Sequence, residues 1–97
     1  MSANFSWTVT TPDGPVASGQ CEFLVVPTTG GELGIMADHA ALVGCVAPGE
    51  LRVSAADATR TISVGGGIVD VRDNTVLLLV ARGEERPAKK PAGAPDI

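Results

Sequence analysis

Aromatic side chains are nearly missing from this chain: tyrosine does not occur, and Phe5, Trp7 and Phe23 are the only rings in 97 residues. That scarcity removes the stacking platforms on which single-stranded nucleic acids are held. Positive charge is also short, with 7 Lys and Arg against 11 Asp and Glu, so a phosphate backbone is a poor partner and no nucleic acid is expected. The imbalance sits in residues 1 to 81, where Arg52, Arg60 and Arg72 face eight acids for a net −5, whereas residues 82 to 97 come to +1. An acidic body of this kind is steered toward a basic partner surface and away from anionic lipid. The longest strongly apolar run, Val76 to Ala81, is far below the roughly 20 residues that cross a bilayer, so membrane association is expected only through a partner. The opening Met1-Ser-Ala-Asn-Phe-Ser-Trp has no basic segment followed by an apolar run. No secretory signal or transit peptide is therefore expected, and the chain is expected to stay in the cytoplasm. Cys21 and Cys45 lack a Cys-x-x-Cys spacing and read as small buried hydrophobes, the alternative being a pair with each other.

What is present is the alternation of half-buried strands. Phe5, Trp7 and Val9 fall on one side of an extended segment and Ser6, Thr8 and Thr10 on the other. Thr11-Pro12-Asp13-Gly14-Pro15 is turn chemistry, Val16 to Ser18 is a short return, and Gln20 to Val26 continues as one strand that Pro27 stops. Leu42 to Val46 is a brief apolar strand ending at Pro48-Gly49. Leu51, Val53 and Ala55 make the next, Asp57-Ala58 reads as a two-residue hairpin, and Ile62 and Val64 return. Gly65-Gly66-Gly67 reads as a bulge or a close backbone approach. Ile68, Val69 and Val71 lead to an Asp73-Asn74 turn, and Thr75 to Ala81 is expected to be buried on both faces. No window carries a helical stripe, and turn signals recur every 8 to 12 residues, the cadence of a sandwich or barrel. The fold class is all-β. Ninety-seven residues suit one domain, placed at residues 1–82, and residues 83–97, with three of the seven prolines, read as a flexible Pro/Ala/Lys tail.

The least generic stretch is Gly30 to Leu42, which holds three glycines, two acids and the only histidine. Nucleophilic catalysis needs a base oriented by a third group, and His39 has only Asp38 beside it, on the opposite face of an extended segment. No catalytic site is expected. His39, Cys21 and Cys45 are zinc-ligand types, but their spacing matches no ligand pattern, and the triple glycine precedes a strand and lacks the Lys-Ser/Thr of a nucleotide cradle. Neither a metal nor a cofactor is expected. Two readings remain for Glu32, Asp38 and His39: a protein-binding loop on a rigid scaffold, or solvated loop residues.

Gly31-Glu-Leu-Gly-Ile-Met-Ala-Asp-His-Ala-Ala-Leu42 resembles the Gly-Glu-Leu-Gly-Ile-x-Pro-x-His-Ala-Pro-Leu signature of the epsilon subunit of bacterial F-type ATP synthases, whose mitochondrial counterpart is called delta. Three further pieces follow in register: Pro12-Asp-Gly-Pro-Val-Ala-Ser-Gly19, Pro48-Gly49 before Leu51-Arg-Val53, and Gly65-Gly-Gly-Ile-Val-Asp-Val71 followed by Asn74-x-Val76. The resemblance implies a flattened ten-stranded sandwich in the central stalk, non-catalytic, bound to the gamma subunit and seated on the c ring at the cytoplasmic face of the bacterial membrane. Its partner-binding residues would be Gly31, Glu32, Leu33, Gly34, Ile35, Asp38, His39 and Leu42, with Glu32 toward the c ring and His39 and Leu42 toward gamma. The signature's two prolines are Ala37 and Ala41 here, which removes fixed backbone angles from the loop. Family members usually continue into two C-terminal helices. This sequence shows none, so helix-mediated inhibition of ATP hydrolysis and ATP sensing are not carried over. The rival reading is a free-standing cytosolic β-sandwich that binds a small ligand or another protein.

Overall fold

A computed structural model describes residues 4–56 and 58–86. Ten strands follow in order: β1 (Phe5–Thr11), β2 (Gly14–Cys21), β3 (Phe23–Thr28), β4 (Gly31–Met36), β5 (Leu42–Val46), β6 (Gly49–Ala55), β7 (Ala58–Val64), β8 (Gly67–Arg72), β9 (Thr75–Val80) and β10 (Gly83–Glu85). They hydrogen-bond in the path β10-β7-β6-β3-β5-β8-β9-β1-β2, with β4 paired to β3 alone. All neighbours are antiparallel except β1 and β9, which run parallel from Ser6↔Thr75 to Thr10↔Leu79. The two ends of the path meet: a Cβ placed on Gly83 would lie 3.3 Å from Val16 Cγ2, so β10 rests on β2 and the sheet all but closes on itself.

The interior is filled from one side of each long strand, as the alternation predicts. Phe5, Trp7 and Val9 are buried together with Leu24, Val26, Ile35, Leu51, Val53, Ile62, Val69, Val76 and Leu78, and no polar or charged residue is buried among the described residues. Two hairpins share one turn device. Thr11 Oγ1 accepts from Asp13 N and donates to Gly14 O, while Thr28 Oγ1 accepts from Gly30 N and donates to Gly31 O. Gly14 and Gly31 take φ of 122° and 114°, angles that a side chain would oppose. Asp73 and Asn74 are both at positive φ, as a type I′ hairpin requires. The triple glycine is a close approach: a Cβ on Gly67 would fall 2.0 Å from Leu79 O.

Several expectations are corrected. Gln20 to Val26 is not one strand, because the chain leaves β1 at Cys21 and joins β6 at Phe23↔Ser54, with Glu22 N donating to Ser54 O at the corner. The inward side therefore changes phase, and Cys21, Leu24 and Val26 are buried while Phe23 is exposed. The return strand is longer than Val16 to Ser18 because β2 pairs with β1 over its whole length. Residues Ala55 and Ala58 close the β6–β7 hairpin and Ala56 has φ 53°, so the turn begins one residue before the expected Asp57-Ala58. Position 57 lies outside the described residues. The strand β9 is buried on one face only, since a sheet wrapped on itself has one inside: Val76, Leu78 and Val80 are buried and Leu79 is 48% exposed. The first three residues assigned to the tail, Gly83–Glu85, form β10 against β7. Residues 87–97 lie outside the described residues.

A side-chain clasp holds β10 in place. The Arg60 guanidinium lies 4.9 Å from the centre of the Trp7 ring and donates through Nε and Nη2 to both carboxylate oxygens of Glu85 at 2.7 and 2.8 Å. Arg60 Nη1 reaches Ser18 O at 3.4 Å, so one side chain touches β1, β2 and β10. The Arg60 hydrogen bonds, and its charge, hold the Glu85 carboxyl below the usual glutamate range.

Trp7→Ala is expected to cost about 3 to 5 kcal/mol in urea unfolding, because Trp7 is the largest buried side chain. Gly67→Ala is expected to cost about 3 kcal/mol, since the added methyl meets backbone of β9 that cannot swing aside. Because the Glu85 carboxyl titrates lower folded than unfolded, its contribution is fully present above about pH 4.3 and is lost as pH falls through the folded value. Glu85→Gln should therefore lower the urea midpoint near neutral pH by a small amount, the pair being exposed, and the gap from wild type should vanish under acid.

Candidate interaction surfaces

The signature segment does not form one site. Gly31 and Glu32 stand at the tip of the β3–β4 hairpin, whereas Asp38 and His39 lie in the loop after Met36, at the other end of β4. Four residues of β4 separate Glu32 from Ala37, five steps along the chain that span roughly 17 Å. The side chain of Ile35 is in the core at 1% exposure, so it supports the strand and offers nothing to a partner. Leu33 and Leu42 are half-buried and pack on the core, while Gly31, Glu32, Gly34 and Asp38 are exposed and His39 is half-buried.

At the tip, Glu32 is already engaged. Its carboxylate takes a forked pair from Arg52 on β6, with Nη1 to Oε2 at 3.1 Å and Nη2 to Oε1 at 3.2 Å. Both side chains remain well exposed, so the pair adds little to stability and presents a mixed-charge patch to solvent. Next to it the Phe23 ring lies over Gly34, where a Cβ would come within 3.2 Å of the ring. Phe23 and Met36 sit opposite each other across β3 and β4 and are 38% and 62% exposed.

At the other end, Asp38 N donates to Asn74 Oδ1 at 2.6 Å and Asn74 Nδ2 donates to Asp38 Oδ1 at 3.1 Å. His39 Nδ1 lies 2.7 Å from Ala40 O, a contact that puts the proton on Nδ1. Asp38 and His39 thus face different partners and form no acid–base dyad. Among the described residues no three His, Cys, Asp or Glu side chains come together to hold a metal.

A third surface was not legible beforehand. The register aligns Cys45 with Ile68 and Ile68 with Leu79, and places Val43 opposite Asp70, which in turn faces Leu77. These side chains point outward. Val43 is 68% exposed, Ile68 47% and Leu79 48%, and Cys45 is exposed beside them. The result is an apolar strip across β5, β8 and β9, bordered by the Asp70–Arg72 ion pair at 2.8 Å. Its signal in the sequence was the unbroken run Val76 to Ala81, which a one-sided strand cannot bury entirely. Cys45, expected to be buried, is exposed on this strip because its strand turns Val46 inward.

The family model for the ATP synthase delta/epsilon chain, β-sandwich domain, matches residues 4–86. The chain belongs to that family. Among its relatives, the ATP synthase epsilon chain of Desulfitobacterium hafniense is 34% identical over 84 residues, covering 87% of this chain and 64% of that protein. The epsilon chain of Shouchella clausii is 41% identical over 85 residues, covering 88% and 63%. This chain thus spans a little under two thirds of the length of these relatives. The fold also matches a chain in the cryo-EM structure of the Euglena gracilis mitochondrial ATP synthase (OSCP/F1/c-ring) with TM-score 0.80 at 24% identity, over 88% of this chain and 55% of that one. A chain of the Tetrahymena thermophila mitochondrial ATP synthase central stalk and c-ring matches with TM-score 0.68 at 21% identity, over 84% and 66%.

In this epsilon-type domain the two thiols should separate cleanly by reactivity. Burial pushes the Cys21 thiol up to about 11, whereas Cys45 is open to solvent. One equivalent of thiol should react with a disulfide reagent in the native protein at pH 8, mapping to Cys45, and the second only on unfolding.

Proposed function

We propose that this chain serves as the epsilon-type subunit of an F-type ATP synthase: a non-catalytic part of the central stalk that joins the gamma subunit to the membrane c ring and helps couple ion translocation to ATP synthesis. The observation that carries the reading is the family match over residues 4–86, which takes in every strand of the sandwich. Structures that share the fold include assemblies of F1 or central stalk with the c-ring, which agrees with a stalk position. The subunit would sit peripherally, at the cytoplasmic face of the bacterial membrane.

Two chemically different surfaces suit two partners. The Glu32–Arg52 pair presents both signs of charge at the hairpin tip, and polar loops of a c ring, with basic and amide groups, are the complementary surface. The apolar strip of Val43, Ile68 and Leu79 suits gamma, because a dry contact on rigid strands resists sliding under load. His39 lies in the loop that leads into β5 and Leu42, packed on the core, opens that strand, so the loop end adjoins the proposed gamma contact. The rival reading, a free-standing ligand-binding sandwich, wants convergent polar groups in a cavity, whereas the interior side chains of the described residues are apolar and packed.

Purified gamma subunit from the same source should co-elute with this chain as a one-to-one complex on a sizing column. Folded chain that fails to bind overturns the stalk reading. Glu32→Lys, which sets a second cation beside Arg52, should weaken attachment to the c ring and lower ATP-driven ion pumping in membrane vesicles. Its unfolding free energy should stay within about 0.5 kcal/mol of wild type, as for other exposed positions. Undiminished coupling with Glu32→Lys would remove Glu32 from the contact.

A further inference from the structure

We infer that Asn74, at the far end of the molecule from Glu32, is the positioning residue of the loop that carries Asp38 and His39. The inference rests on the stalk reading only where it concerns binding to gamma. The loop between β4 and β5 has few ties of its own. His39 N donates to Met36 O at 3.2 Å, and among the described residues the His39 ring closes only on the neighbouring Ala40 carbonyl. Asp38 adopts φ 64°, a left-handed angle that a non-glycine residue holds only at a cost.

The stabilising contact comes from 36 residues away. The Asn74 side chain accepts from the Asp38 amide and donates to the Asp38 carboxylate, closing a ring of two hydrogen bonds at 2.6 and 3.1 Å that fixes both backbone and side chain. Only a carboxamide offers a donor and an acceptor together in this geometry. Asn74 is itself immobilised, because its φ of 58° belongs to the tight β8–β9 turn and its carbonyl accepts from Ser6 N in β1 at 3.0 Å. One residue therefore ties together β1, the β8–β9 hairpin and the signature loop. The choice of residue agrees. A type I′ turn is best served by glycine after aspartate, so Asn in that second place gives up some turn stability and supplies a side chain that the turn does not need.

Asn74→Gly isolates this role, since glycine keeps the turn angle and deletes only the carboxamide. In the 97-residue chain, native-state hydrogen exchange at the Asp38 and His39 amides should quicken by about tenfold, the loss of one or two hydrogen bonds, while β8 and β9 amides hold. Affinity for purified gamma should fall about three- to tenfold, because the binding loop must then be ordered on contact. Asp38→Asn, which keeps an oxygen at the position of Oδ1, should leave hydrogen exchange at the loop amides near wild type. Unchanged exchange at Asp38 in Asn74→Gly, or equal quickening along β8 and β9, would overturn the inference. If wild-type chain does not bind gamma while the exchange result holds, the stalk reading falls and the positioning role stands.

Discussion

A sheet that closes on itself has one inside, and nearly every feature of this domain follows from that constraint. Each strand can bury alternate side chains only, so a core of Phe5, Trp7, Leu24, Ile35, Leu51, Ile62 and Leu78 comes with an equal number of outward positions. The pairing of β8 with β9 also demands a close backbone approach, which Gly67 provides against Leu79. Closure demands as well a means of sealing the last gap, which Arg60 provides by stacking on Trp7 and gripping Glu85. The clasp is assembled from exposed charges that would be worth little alone. It matters because the cation also covers the face of a buried indole, joining electrostatics to packing.

The same constraint decides what could be read in advance. Where one local pattern settles the outcome, as in Phe5-x-Trp7-x-Val9 or the Asp73-Asn74 turn, the residues sufficed. Glu22 could not be foreseen, because nothing local distinguishes a strand that continues from one that changes neighbours, and that change reverses the phase of Phe23 and Leu24. Leu79 and Cys45 misled for a related reason: an apolar residue on a strand signals burial only if the sheet has a second covered face. The short β10 carries no apolar alternation, and its place depends on Arg60, 25 residues earlier. The signature loop was recognisable as a motif, yet its anchor at Asn74 is a long-range contact that spacing does not encode.

As a stalk subunit the domain would transmit load between two attachments, and the attachments lie at opposite ends of β4. Stiffness between them then depends on the weakest link on the path. The strand itself is secured by Leu24, Val26, Leu33 and Ile35, whereas the loop beyond Met36 has alanine at positions 37 and 41 and little backbone pairing. Proline would stiffen such a loop by restricting its unfolded alternatives. A side-chain clamp reaches the same end by binding the folded one, and it does so from a hairpin that is part of the closed sheet. Rigidity here is therefore borrowed from β8 and β9, whose outward face carries the apolar strip. Strain at the apolar strip and at the Asp38 loop would pass through the same two strands, which makes the β8–β9 hairpin the mechanical anchor of the proposed gamma contact.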